Sequence, residues 1–390
     1  MNYFIDISYD SLNKYSEELC GDKVEIVHTN DSVIIVLADG LGSGVKANIL
    51  ATLTSKIAAT MLKEGSTIYE TVDTISNTLP VCKVRKLAYS TFTIVKVYNN
   101  GKVYIAECDN PPIFFIRDNK ILDIKKTDKN INGKLIKESE FMLQEGDVVT
   151  MTSDGVVHAG IGGVLNLGWQ WDNVAEYLEK LSKDVRSAKN ISKGLVNTCN
   201  KLYVNKPGDD TTVATIKIRA PEVVNLFTGP PKDPTMDNYV IDQLMKQKGK
   251  KIVCGGTAAK IASRELDEEL ITSIEYIDKD IPPTAAINGI DLVTEGVLTL
   301  SKTVEIIRCF IDFFCDKYTV YKPEKKDGAS MLARILIEEC TDINLWVGKA
   351  INPAHQNPDL PIDLSIKLNV VEELVELMKK LGKNVNLMHV

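Results

Sequence analysis

Acidic residues recur in this sequence where apolar runs end. VIIVLADGLGSG carries Asp39, MTSDG carries Asp154, and GDDTTVATIKI carries Asp209 and Asp210. A carboxylate beside a hydrophobic core is costly unless something neutralises it, and several converging at strand ends are best neutralised by divalent metal. The chemistry predicted is metal-dependent hydrolysis. In DGLGSG the glycines at 40, 42 and 44 let the backbone turn tightly and approach a ligand, so Asp39 would project into a site beside the carbonyl of Gly40. Each motif taken singly also reads as a plain turn or a helix cap. The glycine spacing does not fit a dinucleotide loop, G-x-G-x-x-G.

The elements that must position these residues follow from periodicity. VEIVH and SVIIVLA read as strands joined by a turn at Thr29, Asn30 and Asp31, followed by a helix reaching Lys63 and a second from Ser66 to Asn77. STFTIVKVY, an Asn-Asn-Gly turn at 99–101, KVYIAEC and PPIFFIR read as an antiparallel meander. A polar stretch around 125–145 separates them from the strand DVVTMT, two helices between Asp172 and Tyr203, and the strand TTVATIKIR. Strands and helices are segregated, which predicts an α+β unit of antiparallel sheets covered by helices.

The chain has 390 residues, enough for two cores, with 44% hydrophobic and 25% charged residues, as in folded globular chains. A formal charge of −7 offers no broad basic footprint, so nucleic acid is not an expected partner. No basic stretch followed by an apolar core opens the sequence, and no apolar run would span a bilayer, so the expected location is cytoplasmic with no membrane partner. Eight cysteines are scattered without a C-x-x-C pair, which favours buried free thiols and an oxygen-ligated metal over a zinc-thiolate site.

Residues 1–219 resemble the metal-dependent protein phosphatases (the PPM or protein phosphatase 2C-like superfamily), specifically the bacterial SpoIIE-type branch. The order of motifs carries the resemblance: Cys20-Gly21-Asp22, LADGLGSGVKA, STFTIVKVYNNGKVYIAECDNPPIFFIR, MTSDG and GDDTTV. It implies two antiparallel sheets flanked by helices and two Mn²⁺ or Mg²⁺ ions at one end. It further implies that Asp39 bridges both ions beside the Gly40 carbonyl, that Asp154 and Asp209 complete one coordination sphere, that Asp22 lies near the other ion, and that Asp210 is an alternate or supporting ligand. Such a pair activates water for attack on a phosphate ester. The substrate implied is a phosphoserine or phosphothreonine on a regulatory protein, such as a STAS-domain regulator. Asp109-Asn110-Pro111-Pro112 departs from the family's usual turn, and no arginine matches the phosphate-gripping position of the eukaryotic branch. His158, just after SDG, is a candidate general acid or a structural residue.

The proline-rich stretch 220–236 reads as a linker to a smaller α/β domain over 237–390, whose rhythm is strand, glycine turn, helix. CGGTAAK places Gly255, Gly256, Thr257 and Lys260, and VTEG places Thr294 and Gly296, where unpaired amides would bind a small anionic ligand or simply cap helices. His355 lies in a polar loop that would join them. Helices there carry apolar stripes suited to core packing or to a homodimer. No family is recognised for this half, which is expected to sense a ligand or dock a partner. Two other readings stay open: a catalytically silent phosphoprotein-binding module, and a C-terminal small-molecule enzyme regulated by the first half.

Overall fold

The computed structural model describes residues 3–79, 90–185, 187–273, 277, 279, 281–311, 324–350 and 363–390. The chain divides into two compact units, Met1–Ala220 and Pro221–Val390. The first runs β1 (Phe4–Leu12), β2 (Asp22–His28), β3 (Ser32–Gly40), α1 (Gly44–Lys63), α2 (Ile68–Thr78), β4 (Ser90–Tyr98), β5 (Lys102–Cys108), β6 (Phe114–Arg117), β7 (Lys120–Ile121), β8 (Thr127–Ile131), β9 (Lys134–Met142), β10 (Val148–Thr152), α3 (Asp154–Val157), α4 (Trp171–Asp184), α5 (Ala188–Leu202) and β11 (Thr211–Arg219).

These strands make two antiparallel sheets, ordered β1-β11-β10-β6-β7 and β2-β3-β4-β5-β9-β8. Alternation of side chains along each strand explains why the runs are apolar throughout. Ile35 and Leu37 of β3 pack with Val149, Met151, Ala214 and Ile216 between the sheets. Their neighbours Ile34, Val36 and Ala38 face the other way, against Ala51, Ala58 and Leu62 of α1 and Val72 and Ile75 of α2. On the opposite outer face, Phe114, Val148 and Val213 meet Val174 and Leu178 of α4 and Ile191 and Leu195 of α5. The result is the expected sandwich of two antiparallel sheets between helices. The stretch 125–145 is more than a polar connection, because β8 and β9 pair as a hairpin. Asn132 (φ 52°) and Gly133 (φ 78°) form its tight turn, an Asn-Gly step that favours left-handed backbone. The polarity of that segment hid the pairing, since most of β8 is exposed.

The second unit runs β12 (Val223–Thr228), α6 (Asp237–Lys246), β13 (Lys250–Cys254), α7 (Gly256–Leu266), β14 (Ile271–Thr272), β15 (Ala285–Ala286), β16 (Leu292–Thr294), α8 (Val297–Ile311), α9 (Gly328–Arg334), β17 (Asp342–Val347), α10 (Asp363–Lys380) and β18 (Asn384–His389). Its sheet is ordered β14-β15-β16-β13-β12-β17-β18, and the pairs from β16 through β18 are all parallel. Counted along the chain, the parallel strands lie in the order 3-2-1-4-5, the arrangement of doubly wound α/β sheets. Phe227, Val253 and Trp346 pack on one face with α6 and α7. Leu226, Ile252 and Leu345 pack on the other with α8, α9 and α10. An amide ladder crosses the sheet: Asn344 donates to Asn225 Oδ1 at 2.8 Å and Asn386 to Asn344 Oδ1 at 3.3 Å.

The expected linker at 220–236 is corrected by β12, which occupies the middle of this sheet between β13 and β17. The prolines there flank Val223–Thr228 rather than interrupting it, so they punctuate a central strand. Cys20, Cys108, Cys199, Cys254 and Cys340 are free thiols, whereas Cys309 is disulfide-bonded, an exception to the expectation of free thiols. No helix among the described residues is long and apolar enough to cross a membrane. Replacing Phe227, which is fully buried, by alanine is expected to lower the unfolding free energy of the second unit by about 3–5 kcal/mol. Chemical denaturation measures this, and a change below about 0.5 kcal/mol, as for a surface position, would restore the linker.

Candidate metal centre

Three strand ends meet at one end of the first unit. β2 and β3 pair with Asp22 opposite Asp39. The Ser153 amide donates to the Thr212 carbonyl at 3.0 Å and the Thr212 amide to Ser153 Oγ at 2.9 Å, which ties the SDG turn to the start of β11. The Lys14 amide donates to Asp210 Oδ1 at 3.0 Å, drawing the segment after β1 into the same place. The glycines are there for close approach. A Cβ on Gly21 would stand 2.7 Å from Asp210 Oδ2, and one on Gly40 would run into the Ala47 carbonyl, where α1 crosses the strand end. One on Gly155 would overlap the Asp210 carbonyl.

The electrostatics of this end are lopsided. Asp22 is buried and neither of its carboxylate oxygens accepts a hydrogen bond, nor does Asp210 Oδ2. Burial pushes the Asp22 carboxyl up to about 7; Asp210 and Asp154 push the same way, while the Ser153 and Thr212 hydroxyls pull it down. These hydroxyls are near enough to ease the charge but not placed for good hydrogen bonds. Asp39 rises further, to about 9, through burial and then the charges of Asp22, Asp154, Asp209 and Asp210. Asp154 and Asp210 are also raised, burial being the main cause for each. Two basic side chains reach the cluster: Lys14 Nζ stands 3.7 Å from Asp209 and His158 Nδ1 3.9 Å from Asp154. Both contacts are substantially exposed, so water screens them.

The structure thus brings together Asp22, Asp39, Asp154, Asp209 and Asp210, with His158 alongside. These residues fit a divalent cation in donor chemistry: hard oxygens, orphaned buried carboxylate atoms, and negative charge that Lys14 and His158 do not balance. Among the described residues no three His, Cys, Asp or Glu side chains are gathered closely enough to hold a single ion. The carboxylates share one end of the sandwich without converging on one point. Lys14 and the Ser153–Thr212 tie were not foreseen, because contacts across more than fifty residues leave no local pattern.

Residues 29–219 match the model of the family described as stage II sporulation protein E (SpoIIE). That stretch is a SpoIIE-family domain. The family is PP2C-like, one of metal-dependent phosphatases that hydrolyse phosphoric monoesters. Asp39, Gly40, Asp154, His158, Asp209 and Asp210 lie within the matched residues, and Asp22 lies before them. No curated protein matches the chain. Among solved structures, it is similar to the PP2C phosphatase domain with a fragment of the regulatory domain of the cell fate determinant SpoIIE from Bacillus subtilis. That match has 18% identity and a TM-score of 0.47, covering 56% of this chain and 62% of that one. It is also similar to the RsbU and RsbW domains of a Mycobacterium tuberculosis protein, with 17% identity and a TM-score of 0.49, covering 62% and 68% of the two chains. RsbX in complex with magnesium gives 17% identity and a TM-score of 0.41, covering 56% and 96%. Identities this low speak to the fold alone.

In the second unit, Gly255 and Gly296 approach each other, a Cβ on Gly296 standing 3.3 Å from the Gly255 Cα. Gly256 and Thr257 open α7, whose N-cap Gly255 supplies no capping side chain. Lys260 is exposed along the same helix. The Thr294 hydroxyl donates to Cys254 Sγ at 3.3 Å and to the Glu295 carbonyl at 2.9 Å. His355 lies outside the described residues.

Removing an uncompensated buried charge should stabilise the empty site. Asp22→Asn is expected to raise the stability of the chelator-treated protein at pH 8 by about 1–3 kcal/mol, because burial raises the carboxyl to about 7 and leaves it ionised at that pH, whereas the amide carries no charge. A thermal or urea melt reads this directly, and a loss of stability would show that Asp22 has a partner in the metal-free chain.

Proposed function

We propose that residues 1–219 remove phosphate from a phosphoserine or phosphothreonine on a regulatory protein, using two Mn²⁺ or Mg²⁺ ions, while the second unit senses a ligand or docks a partner. The observation that carries the reading is the set of buried, unpartnered carboxylate oxygens of Asp22 and Asp210 beside Asp39, at the end of a SpoIIE-family sandwich. Asp39 would hold both ions together with the Gly40 carbonyl, Asp154 and Asp209 would complete one site, and Asp22 the other. Asp210, fixed by the Lys14 amide, would orient the Asp209 side. Bound divalent ions supply Lewis acidity and a hydroxide nucleophile at neutral pH.

The chain's own contributions follow from placement. The paired strand ends of β2 and β3 keep Asp22 and Asp39 in register, so the two carboxylates cannot drift apart without breaking the ladder. Exposed His158, next to Asp154, would give a proton to the departing serine or threonine oxygen. The neighbourhood of Asp109–Pro112 is held by Asn110, whose amide donates to Thr93 Oγ1 at 3.1 Å, and by Trp171, whose indole donates to the Pro112 carbonyl at 2.8 Å. This turn offers no arginine, so phosphate affinity would rest on the ions. A STAS-domain regulator suits the family resemblance as substrate.

Asp39→Asn and Asp154→Asn are each expected to lower metal-dependent turnover of a phosphopeptide at least about 100-fold, with chelator removing the activity of the parent chain. Undiminished turnover in Asp39→Asn would sink the site. Calorimetry that finds no Mn²⁺ or Mg²⁺ binding would favour the catalytically silent phosphoprotein-binding reading instead.

A further inference from the structure

Residues 155–171 contain no Asp, Glu, Lys or Arg, although a quarter of the whole chain is charged. Surface segments ordinarily carry the charged residues. Yet most of this run is a surface loop, residues 158–170, which leaves α3 just after Asp154 and returns to open α4. Three large apolar side chains stand out of it: Ile161 is 48% exposed, Val164 58% and Leu167 75%. One exposed apolar residue needs no explanation, but several on one short loop mark an interaction surface.

The loop has a fixed shape. At its neck the Gln170 amide donates to the Val157 carbonyl at 2.8 Å, and a Cβ on Gly168 would stand 2.8 Å from the His158 Cα. Within it the Ile161 amide donates to the His158 carbonyl at 3.1 Å, and the Gly163 and Leu165 amides to the Gly160 carbonyl at 3.1 and 3.0 Å. Leu165 folds back on Gly160, where a Cβ would meet it at 3.2 Å, and Trp169 packs with the core beneath α4. Those two serve the loop's own packing, and Ile161, Val164 and Leu167 do not. Gln170 holds φ 65° and ψ 150°, a region that glycine alone enters freely, and its side-chain amide donates to the Leu167 carbonyl. Strain at the root of an apolar loop, kept where it fixes the loop's tip, points to a use for that tip.

We propose that this loop is a docking lip for the phosphoprotein substrate, and that it selects apolar residues flanking the phosphorylated serine or threonine. The inference rests on the hydrolase reading and deepens it. Continuity with the metal centre names the occupant. A protein whose phosphorylated side chain reaches Asp154 must lay its neighbouring residues on the surface beside that aspartate, and His158, where the loop begins, stands 3.9 Å from it. The loop's chemistry then sets the preference. Having no Asp, Glu, Lys or Arg, it would leave a charged flanking residue desolvated and unpaired, whereas an apolar one would remove Ile161, Val164 and Leu167 from water.

The test uses the full chain with Mn²⁺ and three probes: p-nitrophenyl phosphate, which has no flanking residues, and two phosphoserine peptides that differ only in carrying leucine or serine on either side of the phosphoserine. The parent is expected to favour the leucine peptide by about 10- to 100-fold in kcat/KM, chiefly through KM, as for burying one or two apolar side chains. The chain carrying Ile161→Ser, Val164→Ser and Leu167→Ser together should lose that preference yet turn over p-nitrophenyl phosphate within about twofold of the parent. A leucine peptide with a non-hydrolysable phosphonate in place of the phosphate should also slow amide hydrogen exchange over 158–170 more than its serine counterpart, a readout that needs neither turnover nor a variant. Equal kcat/KM for the two peptides, a preference that survives the triple substitution, exchange indifferent to the leucines, or loss of p-nitrophenyl phosphate turnover in the variant would each overturn the proposal, while metal-dependent turnover by the parent leaves the hydrolase reading standing. Absence of metal-dependent turnover of all three probes would bring down the hydrolase reading and this inference with it. A parent that sediments as a dimer and a triple variant that sediments as a monomer, with no peptide preference in either, would assign the face to a second copy of the chain instead.

Discussion

Carboxylates set against a hydrophobic core without an internal cation are the constraint around which the first unit is arranged. The four-layer sandwich gives β3 two covered faces, so from Val33 to Ala38 it is apolar and its carboxylate appears only where it ends. At those ends Asp22, Asp39, Asp154, Asp209 and Asp210 repel one another in a partly buried setting. The glycines of the three motifs permit this crowding, since Gly21, Gly40 and Gly155 each lie where a methyl group would strike a neighbouring segment. The local cost of this crowding is one that a bound cation would offset.

Much of this was readable in the sequence, for reasons that can be named. The acids of the DGLGSG, SDG and GDD motifs fall at strand boundaries that apolar runs mark clearly, and the segregation of strands from helices foretold the antiparallel layers. What escaped was non-local or poorly patterned. The β8–β9 hairpin is too exposed to show an apolar alternation, although Asn132-Gly133 announced its turn. The central strand β12 was masked by prolines that stop at its borders. Lys14 and Lys367 owe their placement to partners far away in the chain, which no window of sequence displays.

The two units solve the same problem with different geometry. In the first, antiparallel strands deliver side-chain oxygens of one charge to a common end, which suits cations. In the second, parallel strands deliver glycine-rich backbone turns, with buried Lys367 tied to the Gly348 carbonyl and a buried Glu295 carboxylate oxygen beside them.

The Asn225–Asn344–Asn386 ladder has a consequence for how the parallel sheet chooses its alignment. Sliding β17 by two positions would keep Ile343 and Leu345 on their face and the inward-outward alternation intact, so apolar burial alone distinguishes such misalignments weakly. The amides do not tolerate it, because Asn225, fully buried, would lose its Asn344 partner and leave its carbonyl oxygen unpaired. A buried amide and its partner on the next strand thereby act as a vernier, selecting one alignment among several that oily contacts would accept.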